Sequence, residues 1–417
     1  MPKEQVIVGL DVGTSVIRLV VGKLSVGEKS PAGIIGVGEA PAHGIRKGVI
    51  VDIEEAISSV SSALDKAERM TGLQIDRAVV SVGGAHVTSL ESHGVIAVSR
   101  ADGEITEGDI IRVVDASQAI SIPPNREILH VIPKTFTVDG QTGIKDPLGM
   151  SGIRLEVDSQ IIQASVPFVK NLTKCILRVG IEIEDLVLAP LAAAHSVLSK
   201  RQKELGCVLI DIGAGTTGLV VFEEGELLHS AILPVGSAHI TNDLALGLRT
   251  TIDTAEVVKI EYGTAAKANL KRDEEISLSK IDKNEEGRVS RAYVADIIQA
   301  RLEEIFGMVN KELKLVGKDG QLPAGAVISG GGAKLHGLLE LAKKELRLPC
   351  QLGLPANIST VIDRIDEPAF CTAVGLVLWG SEYAKPSSNP FKRLSLSSFI
   401  PEQVVDKVKS WFKAVMP

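Results

Sequence analysis

VIVGLDVGTSVIRLVV (6–21) and VLIDIGAGTTGLVV (208–221) are two versions of one pattern, offset by 200 residues. Aligned, Asp11 meets Asp211, Gly13 meets Gly213, and Leu19-Val20-Val21 meets Leu219-Val220-Val221. Each copy has an apolar, β-branched run, an Asp at its end, a turn of small residues and a second apolar run. That order predicts a strand, a tight turn and a strand. Gly, Thr and Ser in such a turn let backbone N–H groups and hydroxyls approach an anion closely. An Asp at the strand end suits a hydrated divalent cation, which magnesium sites hold largely through water. A single D-x-G turn would read as an ordinary glycine hairpin. A duplicated one with matched flanking strands reads as two related lobes closing on the phosphates of a nucleotide.

A chain of 417 residues is too long for one typical core and implies two to four domains. No apolar run reaches the roughly 18 residues of a membrane span. Met1 is followed by Pro2-Lys3-Glu4-Gln5 and a strand pattern, with no apolar signal region, so the chain is expected to stay where it is made. Cys175, Cys207, Cys350 and Cys371 have no CxxC spacing and no His cluster beside them, which suits small core residues in a reducing cytosol. A net charge of -7 and an aromatic content of 3% argue against a general nucleic-acid binder. The charge is uneven. From Lys385 onward six basic residues face only Glu402 and Asp406, a local +4 that leaves -11 on the rest.

Between the hairpins, Asp52 opens a helix to about Thr71 with Ile53, Ala56, Ile57, Val60, Leu64 and Ala67 on one face. Ala78–Val82 reads as a buried strand ending in Gly83-Gly84. Residues 86–165 change texture: short strands surround one helix after the capping residue Thr106, an α+β interaction module with no candidate chemistry. Helices are expected over Val166–Val179 and Leu188–Lys203, flanking a short strand. After the second hairpin, Ser237–Leu246, Thr254–Tyr262 and Arg291–Leu315 read as helices, and the charged stretch 267–288 as a sheet edge or exposed hairpin. Ala326–Ser329 then meets Gly330-Gly331-Gly332 and a helix to about Leu346. Glycines there allow close backbone approach, and a helix N-terminus favours an anion or a polar ring edge. Alone, this turn reads equally as a plain loop; after two phosphate hairpins it supplies the nucleoside side of a pocket. Pro368–Tyr383 forms a closing helix.

Residues 384–401, AKPSSNPFKRLSLSSFIP, read as a linker. EQVVDKVKSWFKAVMP follows. Val404, Val405, Val408, Trp411, Phe412 and Val415 make one apolar helical face, with Lys407, Lys409 and Lys413 on the other side. Such a helix is too short to cross a bilayer but suits an anionic membrane surface. Docking back on the body or in a partner's groove is the alternative.

The order hairpin, insert, APLAAA helix, hairpin, GGG turn and closing helix resembles the actin, Hsp70 and sugar-kinase superfamily over residues 5–383. GLDVGTSVIRLVVG (9–22), GVGEAPAHGIRKGVIVDIEEA (36–56), LIDIGAGTTGLVVF (209–222) and VISGGGAKLHGL (327–338) resemble most closely the FtsA family of actin-like bacterial cell-division proteins. The resemblance implies an actin-like (ribonuclease H-like) two-lobed α/β fold with an SHS2-like insert and a C-terminal amphipathic helix. Its divisions would be 1–85 with 166–203 and 204–243 with 326–383 for the two lobe cores, 86–165 for the insert, and 244–325 for the second lobe's small subdomain. The linker at 384–401 and the helix at 402–417 complete it.

The resemblance further implies ATP and magnesium. Phosphate contacts fall at Gly13, Thr14, Ser15, Gly213, Gly215, Thr216 and Thr217, with Asp11 and Asp211 near the metal. Gly236 would line the pocket, Gly330, Gly331 and Gly332 would wrap the adenosine, and Glu256 and Lys259 would meet ribose and adenine. From spacing alone, the last two also read as a surface ion pair. Implied partners are the C-terminal tail of the tubulin-like protein FtsZ, further copies of this chain, the cytoplasmic face of the cell membrane at the division site, and later division proteins at the insert. The FtsZ surface would include Arg301 and Glu304, which spacing alone reads as a solvated helix face. One departure concerns hydrolysis. Relatives place a Glu or Gln near Leu188–Leu191, where Ala189 can neither take nor orient a proton, so weak turnover is expected. Two other readings remain open at this point: a sugar-kinase-type phosphotransferase and a pilus-assembly actin homologue.

Overall fold

The structure, a computed structural model, describes residues 4–25, 33–100, 102–267, 270, 274–356, 358–360 and 362–384. The membrane-facing residues read in the tail (Val404, Val405, Lys407, Val408, Lys409, Trp411, Phe412, Lys413 and Val415) and the linker after Ala384 lie outside them.

Both hairpins form as their alternation requires. Glu4–Val12 pairs antiparallel with Val16–Ser25, setting Asp11 opposite Arg18. Cys207–Ile212 pairs antiparallel with Thr217–Glu223, setting Asp211 opposite Gly218. Each hairpin is the heart of a sheet. The first runs Glu182–Leu188, Arg77–Val82, Glu4–Val12, Val16–Ser25, Gly33–Pro41, Ser359–Thr360. The second runs Glu226–Leu233, Thr217–Glu223, Cys207–Ile212, Ala326–Ser329, Cys350–Leu352. In both, the strand carrying the Asp has one antiparallel neighbour, its hairpin mate, and one parallel neighbour. Buried on both faces, these strands read as apolar runs: Leu10, Leu19, Val20, Leu209, Ile210 and Val220 have no exposed surface.

Helix Ile53–Thr71 begins where the Asp52 side chain accepts from the Glu55 N–H and ends at Gly72 in the left-handed region. The helix expected over 188–203 is two helices, Ala189–Val197 and Lys200–Leu205. Leu198 turns extended, and Ser199 caps the second helix in a reciprocal box with Gln202, so a local polar bond outcompetes helix continuation. Residues 254–262 likewise divide, into helix Ile252–Val257 and a π-helical turn, Val258–Tyr262. The stretch 267–288 contributes a two-stranded hairpin, Glu275–Ser277 with Arg288–Ser290. The second lobe has one apolar core from Val208 through Leu244 and Val294 to Leu313. The boundary read at 243/244 therefore falls inside helix Ser237–Leu248, and that at 203/204 inside Lys200–Leu205.

Two helices join the lobes. Ala189–Val197 lies against the second sheet, where a Cβ on Gly218 would come within 3.0 Å of Pro190. Cys371–Ala384 lies against the first, where a Cβ on Gly9 would come within 2.4 Å of the Ala373 carbonyl oxygen. The helices meet at Gly375, whose missing Cβ would stand 1.8 Å from the Ala192 carbonyl oxygen. A side chain there would force the two helices apart.

Residues 89–166 form a second compact unit. Its sheet runs Thr88–Ala97, Arg154–Ser165, Arg126–Val138, Gln141–Ile144. Helix Glu107–Ser117 has Thr106 at its N-cap and Asp109 completing a capping box. It packs Ile110, Val113 and Val114 with Phe136, Leu155 and Val157 into the unit's own core.

Two glycines test the crossing. Gly375→Ala is expected to lower unfolding stability by about 1–3 kcal/mol, the cost of overpacking. Gly307→Ala, in helix Arg291–Leu315 with open space around its Cβ, should raise it by about 0.5–1 kcal/mol. Thermal melts of both variants check the pair.

Candidate functional site: a cleft between paired turns

The turns after the two Asp-bearing strands face one cavity of about 130 Å³, lined by Asp11, Gly13, Thr14, Ser15, Arg18, Gly48, Ser81, Gly83, Ala189, Asp211, Gly213, Ala214, Thr216, Ser237, Gly330, Gly331 and Thr372, among others. The turns also touch: a Cβ on Gly215 would lie 2.8 Å from the Thr14 side chain.

Backbone donors are left over here. The Gly213 N–H bonds to the Thr216 carbonyl, and the Gly213 and Ala214 carbonyls accept from Ser237 and Ala238 at the start of helix Ser237–Leu248. That turns the second loop's oxygens towards the helix. Among the described residues, the N–H groups of Thr14, Ser15, Gly215 and Thr216 donate to no protein group. Gly215 is buried, Thr14 and Thr216 are half-buried and Ser15 is exposed, and N–H groups gathered beside one cavity without a protein acceptor suit a bound anion.

The carboxyl groups point the same way. Asp11 Oδ1 accepts from Ser81 Oγ at 2.8 Å, whereas Asp211 is reached by Ser329 and Thr372 hydroxyls only at 3.4 Å each. Asp211 is pushed up to about 6, chiefly by burial and then by the negative charge of Asp11. Burial raises Asp11 as well, opposed by Arg18 and the Ser81 hydroxyl. Arg18, which sits opposite Asp11 in its ladder, opposes the rise at both carboxyls, whereas Gly218 sits opposite Asp211 and offers no charge. Two poorly hydrated carboxylates that repel one another favour a shared cation. Among the described residues no cluster of three or more His, Cys, Asp or Glu could hold a metal by itself. The pair therefore fits a magnesium ion that takes its remaining ligands from phosphate and water, and does not fit one held by protein alone.

Most of the phosphate residues expected from sequence meet at this cavity: Gly13, Thr14, Ser15, Gly213 and Thr216 line it, and Gly215 bridges the turns. Thr217 is a correction. Its side chain is fully buried and its hydroxyl donates to the Val235 carbonyl at 2.8 Å, so it serves the fold. Gly236 underlies the second turn, where a Cβ would fall 2.6 Å from the Gly213 and Ala214 oxygens. In the glycine turn, Gly330 and Gly331 both line the cavity; Gly331 has open space at its Cβ position, Gly330 lies against Asp211 and Ile212, and Gly332 packs on Ile212. A second correction applies there: the glycines open a 3-10 turn, Gly331–Lys334, and the α-helix begins only at Leu338. The Gly330–Gly332 turn thus offers no helix N-terminus.

Glu256 and Lys259 do form an ion pair, at 2.6 Å, but not on one α-helical face. Lys259 is nearly buried and also donates to Thr241 Oγ1 at 2.8 Å and towards the Ser237 carbonyl, which ties the pair to the cavity's edge. Arg301 grips Asp243 with two nitrogens, at 2.6 and 2.9 Å, and reaches Glu304 with a third. It clamps helix Arg291–Leu315 to helix Ser237–Leu248; Glu304 remains exposed.

Sequence reasoning missed Ser81, Gly83, Arg18 and Gly48. A signal existed for the first two: Ala78-Val79-Val80-Ser81-Val82-Gly83-Gly84 parallels Ala326-Val327-Ile328-Ser329-Gly330-Gly331-Gly332, and each Ser bonds the Asp of the adjacent strand. Arg18 is held over the Phe370 ring and paired with Glu39 at 3.0 Å, contacts no local pattern announces.

Residues 208–375 match the family model for cell division protein FtsA, and residues 84–163 that for the SHS2 domain inserted in FtsA. The chain is 36% identical to the cell division protein FtsA of Pseudomonas aeruginosa, over 98% of this chain and 97% of that one. Against the Bacillus subtilis FtsA it is 39% identical over 92% and 86%. Its fold resembles the solved PilM-PilN type IV pilus biogenesis complex (TM-score 0.65, 17% identity, 90% and 98% coverage). It also resembles MreB 5 of Spiroplasma citri bound to AMPPNP (TM-score 0.56, 15% identity, 92% and 98% coverage). With near-full-length identity well above 30%, an actin-like body and an inserted SHS2 unit, this chain belongs to the cell division protein FtsA family.

Proposed function

We propose that this chain binds ATP with magnesium in the cleft between its paired turns, assembles with further copies of itself, and tethers FtsZ filaments to the cytoplasmic face of the cell membrane through its C-terminal helix. The observation that carries the nucleotide part is a cavity lined by two mutually repelling carboxylates and by the Thr14, Ser15 and Thr216 turn residues, whose backbone N–H groups have no acceptor among the described residues. That is the electrostatic complement of a polyphosphate with its cation. The solved MreB 5 relatives bound to AMPPNP and ADP support it.

In this reading Thr14, Ser15, Gly215 and Thr216 hold the phosphates, and Asp11 and Asp211 orient the water shell of the cation, which supplies charge neutralisation when bound. Gly331 offers backbone with no side chain to the nucleoside. Ala189 lines the cleft and, with a methyl side chain, can neither take nor orient a proton there. Asp11 and Asp211 are the carboxylates lining the cavity among the described residues. Four other acids are engaged elsewhere: Asp185 by the Trp379 indole, Asp139 by the Ile153 and Arg154 N–H groups, Asp146 by the Leu148 N–H, and Asp158 by His93. This chain therefore holds ATP rather than turning it over rapidly, and bound nucleotide favours the closed arrangement of the lobes.

The tether follows from the tail's sequence and the family resemblance. One short helix at a lipid surface binds weakly, and a row of them on a polymer binds firmly through effective concentration. Among the described residues no helix is long and apolar enough to cross a membrane. The small subdomain's outer face, with Glu304 and the clamped Arg301, is the surface assigned to the FtsZ tail. The insert is assigned to later division proteins.

Three measurements test this. The full chain should sediment with anionic liposomes, more so with ATP, and a chain ending at Lys385 should stay in the supernatant; equal sedimentation of both removes the tether. Steady-state ATP turnover should lie well below the roughly 1–100 s⁻¹ of kinases. The third concerns pH. The folded chain binds the Asp211 proton more tightly than the unfolded chain, whose carboxyl titrates near 3.8, so without nucleotide this residue's contribution to stability falls as pH rises from about 4 to about 6. Asp211→Asn should therefore stabilise the nucleotide-free protein by ~1–2 kcal/mol above pH 6 while abolishing stabilisation by magnesium and ATP.

A further inference from the structure

We propose that Lys47 reads the terminal phosphate of the bound nucleotide, making ATP rather than ADP the ligand that draws the two turns together. This rests on the nucleotide reading above. Strands Ile45–Arg46 and Val49–Ile50 pair as a minimal hairpin whose two turn residues are Lys47 and Gly48. Both have positive φ, +48° and +73°. Two-residue hairpin turns demand that geometry, but Asn, Asp or Gly normally supplies the first position, so a lysine there is strained. Strain kept at a cleft calls for a role.

The hairpin's tip is seated between the two phosphate turns. The Gly48 N–H donates to Thr14 Oγ1 at 3.0 Å, which occupies an acceptor lone pair of that hydroxyl and leaves its proton to donate elsewhere. Gly48 packs against Gly83 and Gly84, where a Cβ would meet the Gly84 nitrogen at 2.7 Å. From the other lobe, Gly215 lies against the same tip: a Cβ there would stand 2.9 Å from Lys47 Cα and 2.8 Å from Thr14 Oγ1. One backbone position thus touches both loops that carry the unpaired donors. Lys47 is exposed and, among the described residues, forms no ion pair.

An uncommitted ammonium rooted at the meeting point of two anion-binding loops gains most from the phosphate that is itself farthest from the nucleoside. A γ-phosphate adds charge where the loops touch, and Lys47 is the cation anchored at that contact. The consequence is selectivity for the triphosphate and, through Gly48 and Thr14, a grip of the hairpin on the closed cleft.

The test compares ATP and ADP binding, each with magnesium, by titration calorimetry on the full chain and on Lys47→Gly and Lys47→Arg. Glycine removes the ammonium and relieves the positive φ, so this variant should melt no lower than the native chain. Lys47→Gly is expected to weaken ATP about tenfold and ADP less than twofold, with Lys47→Arg within threefold of the native chain for both. Equal loss for ATP and ADP, no loss for either, or as great a loss in Lys47→Arg would overturn the assignment. If the native chain bound neither nucleotide, the proposed function itself would fall first.

Discussion

The close crossing of helices Ala189–Val197 and Cys371–Ala384 is the constraint on which the rest of this molecule depends. At Gly375 one backbone rests directly on the Ala192 carbonyl, and each helix then lies on a different sheet through a second missing side chain, Gly218 or Gly9. Small residues at such contacts let two backbones approach closer than ordinary side-chain packing allows. That closeness brings the two Asp-bearing strands end to end across a narrow gap. A wider crossing would leave two hydrated hairpins with ordinary acids, and the cavity would lose its electrostatic character.

Once the lobes are held so near, the chemistry of the cleft is a matter of unmet demands. Among the described residues, the N–H groups of Thr14, Ser15, Gly215 and Thr216 have no acceptor, and the two carboxylates are offset only by Arg18 and by hydroxyl donors. The two lobes are not electrically equal. Arg18, steadied by Glu39 and Phe370, opposes the rise at both Asp11 and Asp211, and its counterpart in the second hairpin is a glycine against which the Pro190 helix packs.

The duplication made much of this legible from sequence. A repeated pattern of strand, Asp, small-residue turn and strand is local, so the hairpins and their role as paired turns could be read directly. Contacts closed by the tertiary fold could not: Ser81 reaches Asp11 across 70 residues, and Arg301 finds Asp243 across 58. Two misreadings were local. Ser199 ends one helix and starts another because its side chain captures a backbone N–H, a feature masked by the favourable helix formers on either side. Thr217 looks like its neighbour Thr216 in sequence, but strand alternation turns it into the core.

The Trp379 indole donates to Asp185 at 3.0 Å, fastening the far end of the closing helix to the edge strand of the first sheet. Asp185 is raised to about 7 by burial, which the indole bond opposes. Covalent continuity makes this helix the point of entry for any pull exerted through residues 385–417. Such a load runs past Trp379 and arrives one turn later at Gly375, between the lobes. The closing helix therefore gives the fold a mechanical axis, running from the Trp379–Asp185 bond to the joint that sets the width of the cleft.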